Sequence, residues 1–246
     1  MNIAVLLAGG SGRRMGGPEP KQFIEVAGRS ILEHSIRAFH SHDGIDEIVI
    51  VAHADYIDRI KDIAVPYPKV KHVVPGGKER YDSSLAAIGI YRSVRSEELG
   101  VRSEELNLLI HDAVRPLVSH RIITDCIAAL ASYKAVDVAV ACTDTIVEVN
   151  AEGHICHITP RAMLRNVQTP QCFRLETIDE AYRKGLSDPN FITTDDCGVV
   201  HRYMPEEPIF VVEGDTTNIK VTYPEDLILA EKVLTTKCTK ETKETK

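Results

Sequence analysis

The densest chemistry in the 246-residue chain lies in Leu7-Ala-Gly-Gly-Ser-Gly-Arg-Arg-Met-Gly16 and the Pro20-Lys21-Gln22 that follows. Glycines reach backbone conformations in which successive N–H groups close on phosphate oxygens. Arg14 and Lys21 add the positive charge that a triphosphate needs, whereas Arg13 is the weaker member of its pair. The loop lacks the Gly-Lys-Ser/Thr ending of a Walker motif. Met15 also stands where a dinucleotide fingerprint has its third small residue. Asp112 follows an apolar strand, at the edge where open α/β sheets place their ligands. A helix cap or a partner for Arg115 is the plainer role for that carboxylate. Lys220 lies far down the chain in Asn218-Ile-Lys-Val-Thr222 and, without its motif, reads as a solvated lysine.

These residues need a scaffold, and the apolar pattern supplies one. Runs at Asn2–Ala8, Glu47–Ala52, Val70–Val74, Leu106–His111 and Val136–Ala141 predict strands. Helical periods at Ile31–His40, Ser83–Val94 and Ile122–Tyr133 lie between them, with Ile31, Leu32, Ile36 and Phe39 on one face. Continuous apolar strands alternating with helices predict an α/β fold, a mostly parallel sheet covered on both faces. Asp144 to Ile158 instead alternates apolar and polar residues around Asn150-Ala-Glu-Gly153, the pattern of a β-hairpin. It reads as a projecting arm over about residues 142–160, with an ordinary edge hairpin as the alternative. Val94-Arg-Ser-Glu-Glu-Leu99 recurs as Val101-Arg-Ser-Glu-Glu-Leu106, one tandem copy and too few for a solenoid. From Thr235 to Lys246 the chain is Thr, Lys and Glu with one Cys, and reads as a disordered tail after a single domain over 1–234.

Composition narrows the partners. With 29 basic and 36 acidic side chains the net charge is −7, unsuited to a nucleic-acid face. No apolar run is long enough to span a bilayer, and Met1–Ala8 ends in glycines rather than a cleavage signal, which predicts a cytoplasmic protein. Six cysteines without Cys-x-x-Cys spacing read as reduced thiols. Ten histidines form no zinc pattern, and His111 reads as a structural neighbour of Asp112.

Seven motifs in order carry a resemblance. They are the glycine loop with Pro20-Lys-Gln-Phe23, Gly76-Gly-Lys-Glu-Arg-Tyr-Asp-Ser83, His111-Asp-Ala-Val-Arg-Pro116, Asp144-Thr-Ile146, Gln168-Thr-Pro-Gln171, Thr194-Asp195 and Asn218-Ile-Lys-Val-Thr222. Over residues 1 to about 234 the chain resembles the cytidylyltransferases acting on 2-C-methyl-D-erythritol 4-phosphate and on ribitol 5-phosphate. The resemblance implies a Rossmann-like sheet of the nucleotide-diphospho-sugar transferase type. The implied reaction is CMP transfer from CTP to a polyol phosphate, with pyrophosphate released. It assigns Arg14, Lys21 and Lys220 to the triphosphate and the α-phosphorus, and Asp112 to Mg²⁺. Ala8, Gly9, Gly10, Gly77 and the Lys78 backbone would surround the base and ribose. Ser83 would meet the pyrimidine edge, a position that also suits a helix N-cap.

Arg115, Thr145, Arg161, Thr169, Thr194 and Lys220 match acceptor-site positions. In the family the hairpin crosses a dimer axis, which implies a homodimer whose acceptor site is shared between subunits. Asp144-Thr-Ile-Val-Glu148 leans towards ribitol phosphate and the wider spread of the methylerythritol enzymes leans the other way, so both acceptors stand. A nucleotidyltransferase using another nucleotide and a sugar phosphate is the alternative activity. A catalytically silent sugar-nucleotide binder is disfavoured by the joint presence of Arg14, Lys21, Asp112 and Lys220.

Overall fold

The computed structural model describes residues 1–10, 15, 19–93 and 105–244, without the side chains of 93 and of 237 onward. Arg13, Arg14 and the tandem copy at 94–104 therefore lie outside the described residues. The sheet is built on β1 (Asn2–Ala8), whose Ile3 to Leu6 have no exposed surface because helices cover both its faces. β1 pairs in parallel with β4 (Glu47–Ala52) on one side and with β6 (Asn107–Asp112) on the other. Beyond β4 lies β5 (Val70–Pro75), also parallel. Two very short strands, β2 (Glu25–Val26) and β3 (Arg29–Ser30), form a separate ladder.

The sheet is mostly parallel, as expected, and its far side is where the antiparallel strands lie. β6 and β7 (Ala135–Ala141) are not neighbours: β11 (Gln171–Arg174) lies between them, antiparallel to both. β10 (Arg165–Val167) adds antiparallel to β7, and β12 (Ile209–Glu213) adds parallel to it. The sheet has eight strands, with the main order β10-β7-β11-β6-β1-β4-β5. Because the chain leaves β1 to build outwards in both directions, a crevice opens at the carboxyl ends of β1 and β6.

One face of the sheet is packed by α1 (Ile31–His40), α2 (Ile57–Ala64) and α4 (His120–Ala129). Ser30 caps α1 by accepting from the Glu33 N–H at 3.2 Å, and Ile31, Leu32, Ile36 and Phe39 are buried as the periodicity requires. The other face carries α3 (Arg80–Ser93), α5 (Leu175–Leu186) and α6 (Asp196–Tyr203). α3 begins three residues before Ser83, so Ser83 sits within its first turn and is not its N-cap.

β8 (Val147–Val149) and β9 (Ile155–Ile158) form the expected hairpin, apart from the main sheet and exposed along its length. The last helix, α7 (Pro224–Glu244), corrects the reading of an unstructured tail from Thr235. That segment lacks Gly and Pro, and its Lys and Glu offset the weaker helix preference of its Thr once α7 has been nucleated upstream. α7 closes a small third core in which Val221 meets Val26, Ile31, Val114 and Leu117. Among the described residues no helix is long and apolar enough to cross a membrane.

Candidate active site

A cleft of about 370 Å³ opens at the carboxyl ends of β1 and β6. Ala8, Gly9 and Gly10 line it where β1 ends, and Gly77, Lys78 and Ser83 line it where β5 turns into α3. The turn needs its glycines: a Cβ on Gly76 would overlap the Ser83 hydroxyl, and one on Gly77 would overlap Asp82. Lys21, Asp112 and Lys220 complete the lining.

The lysines arrive from opposite ends of the chain and are tied together. Lys21 begins a short 3₁₀ turn, Lys21–Phe23, and its side chain is buried. Its Nζ donates to the Val221 carbonyl at 2.8 Å, one residue after Lys220. Gln22 Nε2 donates to the Ala8 carbonyl at 3.0 Å, fixing the turn to the end of β1. The Val221 N–H donates to the Val114 carbonyl at 2.9 Å, which pins the Lys220 strap beside the segment after β6.

Asp112 is the electrostatic centre. Its Oδ2 lies 2.8 Å from Lys220 Nζ and 3.8 Å from Arg115 Nε, and its Oδ1 lies 3.7 Å from Arg80 Nε. Burial pushes its pKa up, but Lys220, Arg80 and Arg115 more than reverse that and hold it at about 2. The carboxylate is therefore ionised at any working pH. Its contact with Arg115 matches the plainer reading of this residue, and the helix-cap reading fails because Asp112 ends a strand.

Behind Asp112 stands a layer that positions it. Thr169 Oγ1 accepts from the Asp112 N–H at 3.1 Å and meets His111 Nδ1 at 3.0 Å. His111 Nε2 lies 3.1 Å from the Arg115 carbonyl. Burial drives the His111 pKa down to about 4, so the ring is neutral, a structural neighbour of Asp112. Arg115 donates to the Asn218 carbonyl at 2.8 Å, while Asn218 Nδ2 donates to the Thr169 carbonyl at 2.9 Å. Thr169 and Arg115 are thus engaged in joining three loops and do not line the cleft.

Thr194 lines an adjoining cavity of about 360 Å³ with Thr193, Asp195 and Phe191. Glu79 and Arg80 line both cavities and form the wall between them. Thr145 and Arg161 are exposed beside the hairpin, where Arg161 donates to the Thr143 carbonyl at 2.9 Å. Neither lines either cavity of its own chain. Arg80 lies inside Gly76–Ser83 but carries no local signal of its role in the sequence. Its Nη1 donates to Asp196 at 2.6 Å across 116 residues, a separation that no local pattern reveals.

No group of three or more His, Cys, Asp or Glu side chains suited to a metal occurs among the described residues. Asp112 does fit a hard cation that takes one protein carboxylate and completes its shell with phosphate oxygens and water.

Comparison with known proteins agrees with this geometry. A profile of the 2-C-methyl-D-erythritol 4-phosphate cytidylyltransferase family matches residues 2–236. The 2-C-methyl-D-erythritol 4-phosphate cytidylyltransferase of Thermobifida fusca is 46% identical over 239 residues, covering 95% of this chain and 93% of that one. A bifunctional ribulose 5-phosphate reductase/CDP-ribitol pyrophosphorylase of Haemophilus influenzae is 44% identical over 235 residues. That match takes in 94% of this chain but only 48% of the longer bifunctional protein. The crystal structure of 4-diphosphocytidyl-2C-methyl-D-erythritol synthase from Anaerococcus prevotii superposes with a TM-score of 0.81 at 32% identity, covering 95% of this chain and 96% of that one. With nearly its whole length matched in sequence and in fold, the chain belongs to the 2-C-methyl-D-erythritol 4-phosphate cytidylyltransferase family.

Proposed function

We propose that the chain transfers the cytidylyl group of CTP to the phosphate of a small polyol phosphate and releases pyrophosphate. One observation carries the reading: Lys21 and Lys220 converge on the glycine-lined cleft beside an ionised Asp112. An acceptor phosphate oxygen attacks the α-phosphorus of CTP. A new P–O bond forms as the bond to the β-phosphate oxygen breaks, and pyrophosphate leaves with the electron pair. The acceptor phosphate is already an anion, so no protein base is required, and catalysis is positioning and charge neutralisation. Lys21 and Lys220 offset the charge that gathers as two anions meet, with Arg14 assigned beside them by the family pattern.

The Ala8–Gly10 segment and Gly77 present fixed backbone donors and acceptors to base and ribose. This is how cytosine is told from uracil, and Ser83 lies beside them. Asp112 would hold a Mg²⁺ ion, which when bound supplies charge stabilisation to the triphosphate. Thr194 and the cavity it lines adjoin the nucleotide cleft on the acceptor side.

The acceptor site would be completed by a second subunit. Thr145 and Arg161 sit with a hairpin whose Val149, Ile155 and Ile158 are 59%, 60% and 57% exposed. Such a two-stranded arm is marginal alone and gains stability by packing on a partner. A homodimer in which each arm carries its Arg161 to the other subunit's cleft accounts for both features. Nucleotide and polyol phosphate are cytoplasmic metabolites, and the reading places the enzyme there.

The test is pyrophosphate release measured side by side with 2-C-methyl-D-erythritol 4-phosphate and ribitol 5-phosphate, because relatives at 46% and 44% identity carry the two corresponding names. Mg²⁺-dependent release from CTP with either acceptor supports the proposal and identifies the substrate. Release from UTP or GTP but not from CTP would overturn it.

A further inference from the structure

Of the two charged residues in the wall between the cavities, Glu79 and Arg80, the arginine has its orientation set from behind. Arg80 opens α3, lines both cavities and retains 29% of its side-chain exposure. Its Nη1 donates to Asp196 Oδ2 at 2.6 Å, and its Nε faces Asp112 at 3.7 Å. Asp196 has no exposed surface, and its second oxygen accepts from the Tyr182 hydroxyl at 2.6 Å. The Asp196 N–H donates to Gln171 Oε1 at 3.1 Å. Gln171 Nε2 in turn donates to Asp195 at 2.9 Å and to Asp137 at 3.2 Å. Asp195 caps α6 by accepting from the Gly198 N–H at 2.8 Å. The carboxylate is thus immobilised through its backbone, its helix and both of its oxygens.

A guanidinium is planar, with its donors in a rigid fork, so a fixed partner on one arm sets the direction of the rest. Burying a carboxylate completely is costly unless its partners are well placed. Here the principal charged partner reaches outward into the cleft and not into the core.

We propose that Asp196, braced by Tyr182, is a positioning residue. It holds the Arg80 guanidinium at the junction of the two cavities, so that the arginine presents a fixed set of donors where nucleotide and acceptor phosphates meet. The inference rests on the cytidylyl-transfer reading and extends it to two buried residues that touch no substrate.

A double-mutant cycle tests it, with kcat/KM for pyrophosphate release from CTP and the accepted polyol phosphate as the readout. Asp196→Asn keeps the shape, removes the charge and lowers kcat/KM by on the order of 10- to 100-fold through misplacement of Arg80. In an Arg80→Ala background the same change alters kcat/KM by less than about twofold, because the group it positions is gone. Tyr182→Phe gives a smaller loss of the same sign that also vanishes in that background. If Asp196→Asn does not fold, the Tyr182→Phe cycle carries the test. Equal fold-losses with and without Arg80 in an active enzyme would overturn this inference alone. A wild-type chain that releases no pyrophosphate would defeat the functional reading, and this inference with it.

Discussion

Asp112→Asn removes one negative charge from a centre of three cations while leaving its shape almost unchanged. The carboxylate faces Lys220 at 2.8 Å, Arg80 at 3.7 Å and Arg115 at 3.8 Å. Burial alone raises its pKa, yet the cations bring it from 3.8 to about 2. At about 1.4 kcal/mol per pH unit, that gap favours the charged form by about 2–3 kcal/mol. Removal also leaves Arg115, only 11% exposed, opposite other cations with no anion between them. Breaking a buried ion pair from one side costs about 3–5 kcal/mol. The expected loss is therefore about 3–5 kcal/mol at pH 7, or a fall in Tm of about 6–20 °C for a domain of this size.

Urea denaturation of both proteins measures it. The sign follows from the depressed pKa: the stabilisation is present above the unfolded value of 3.8 and is lost as pH falls through about 2. The electrostatic part of the difference should drop to about half its pH 7 value by pH 3. Equal denaturation midpoints for the two proteins at pH 7 would refute the claim that Asp112 organises the three cations.

Two buried groups set opposing pH dependences. His111, held down at about 4, contributes about 3 kcal/mol that is present above its unfolded 6.5 and lost as pH falls through 4. Asp137, pushed by burial up to about 6, contributes a similar amount that is present below 3.8 and lost as pH rises through 6. Asp137→Asn should therefore make stability climb more steeply between pH 4 and 6.5 than in the wild type, and an unchanged slope in pH-dependent denaturation would contradict this. Deleting residues 148–155 should convert a dimer to a monomer in sedimentation, and an intact dimer would reject the arm. Arg161→Ala should raise the KM for the polyol phosphate much more than that for CTP, and an equal rise in both would make the residue structural.

The parts of the site that sit on local signals were legible. β1 announces itself by an unbroken apolar run because it is buried on both faces, and the glycine turn must follow it. Helix α1 has the bounds its periodicity and the cap at Ser30 require. The hairpin was readable because alternation of apolar and polar residues persists even where no core covers it.

What escaped depends on distant pairing. β11 is four residues long, and its antiparallel insertion between β6 and β7 follows from partners that no local pattern encodes. The engagement of Thr169 and Arg115 behind Asp112 depends on Asn218, roughly a hundred residues beyond Arg115 in the chain. Arg80 lies inside Gly76–Ser83, but its importance comes from Asp196, which the packing of α6 against α5 and the hydrogen bond from its N–H to Gln171 hold in place. The helical backbone of α7 past Thr235 is hidden in the sequence by a low-complexity composition that lacks a core-facing apolar period.

The central claim is that lysines from opposite ends of the chain act on one phosphorus atom. Single-turnover pyrophosphate release from saturating CTP and acceptor, compared for the wild type, Lys21→Ala and Lys220→Ala, tests it most directly. Each variant should slow the chemical step by on the order of 10²-fold or more, the scale of losing a transition-state donor. Wild-type rates in both variants would contradict it.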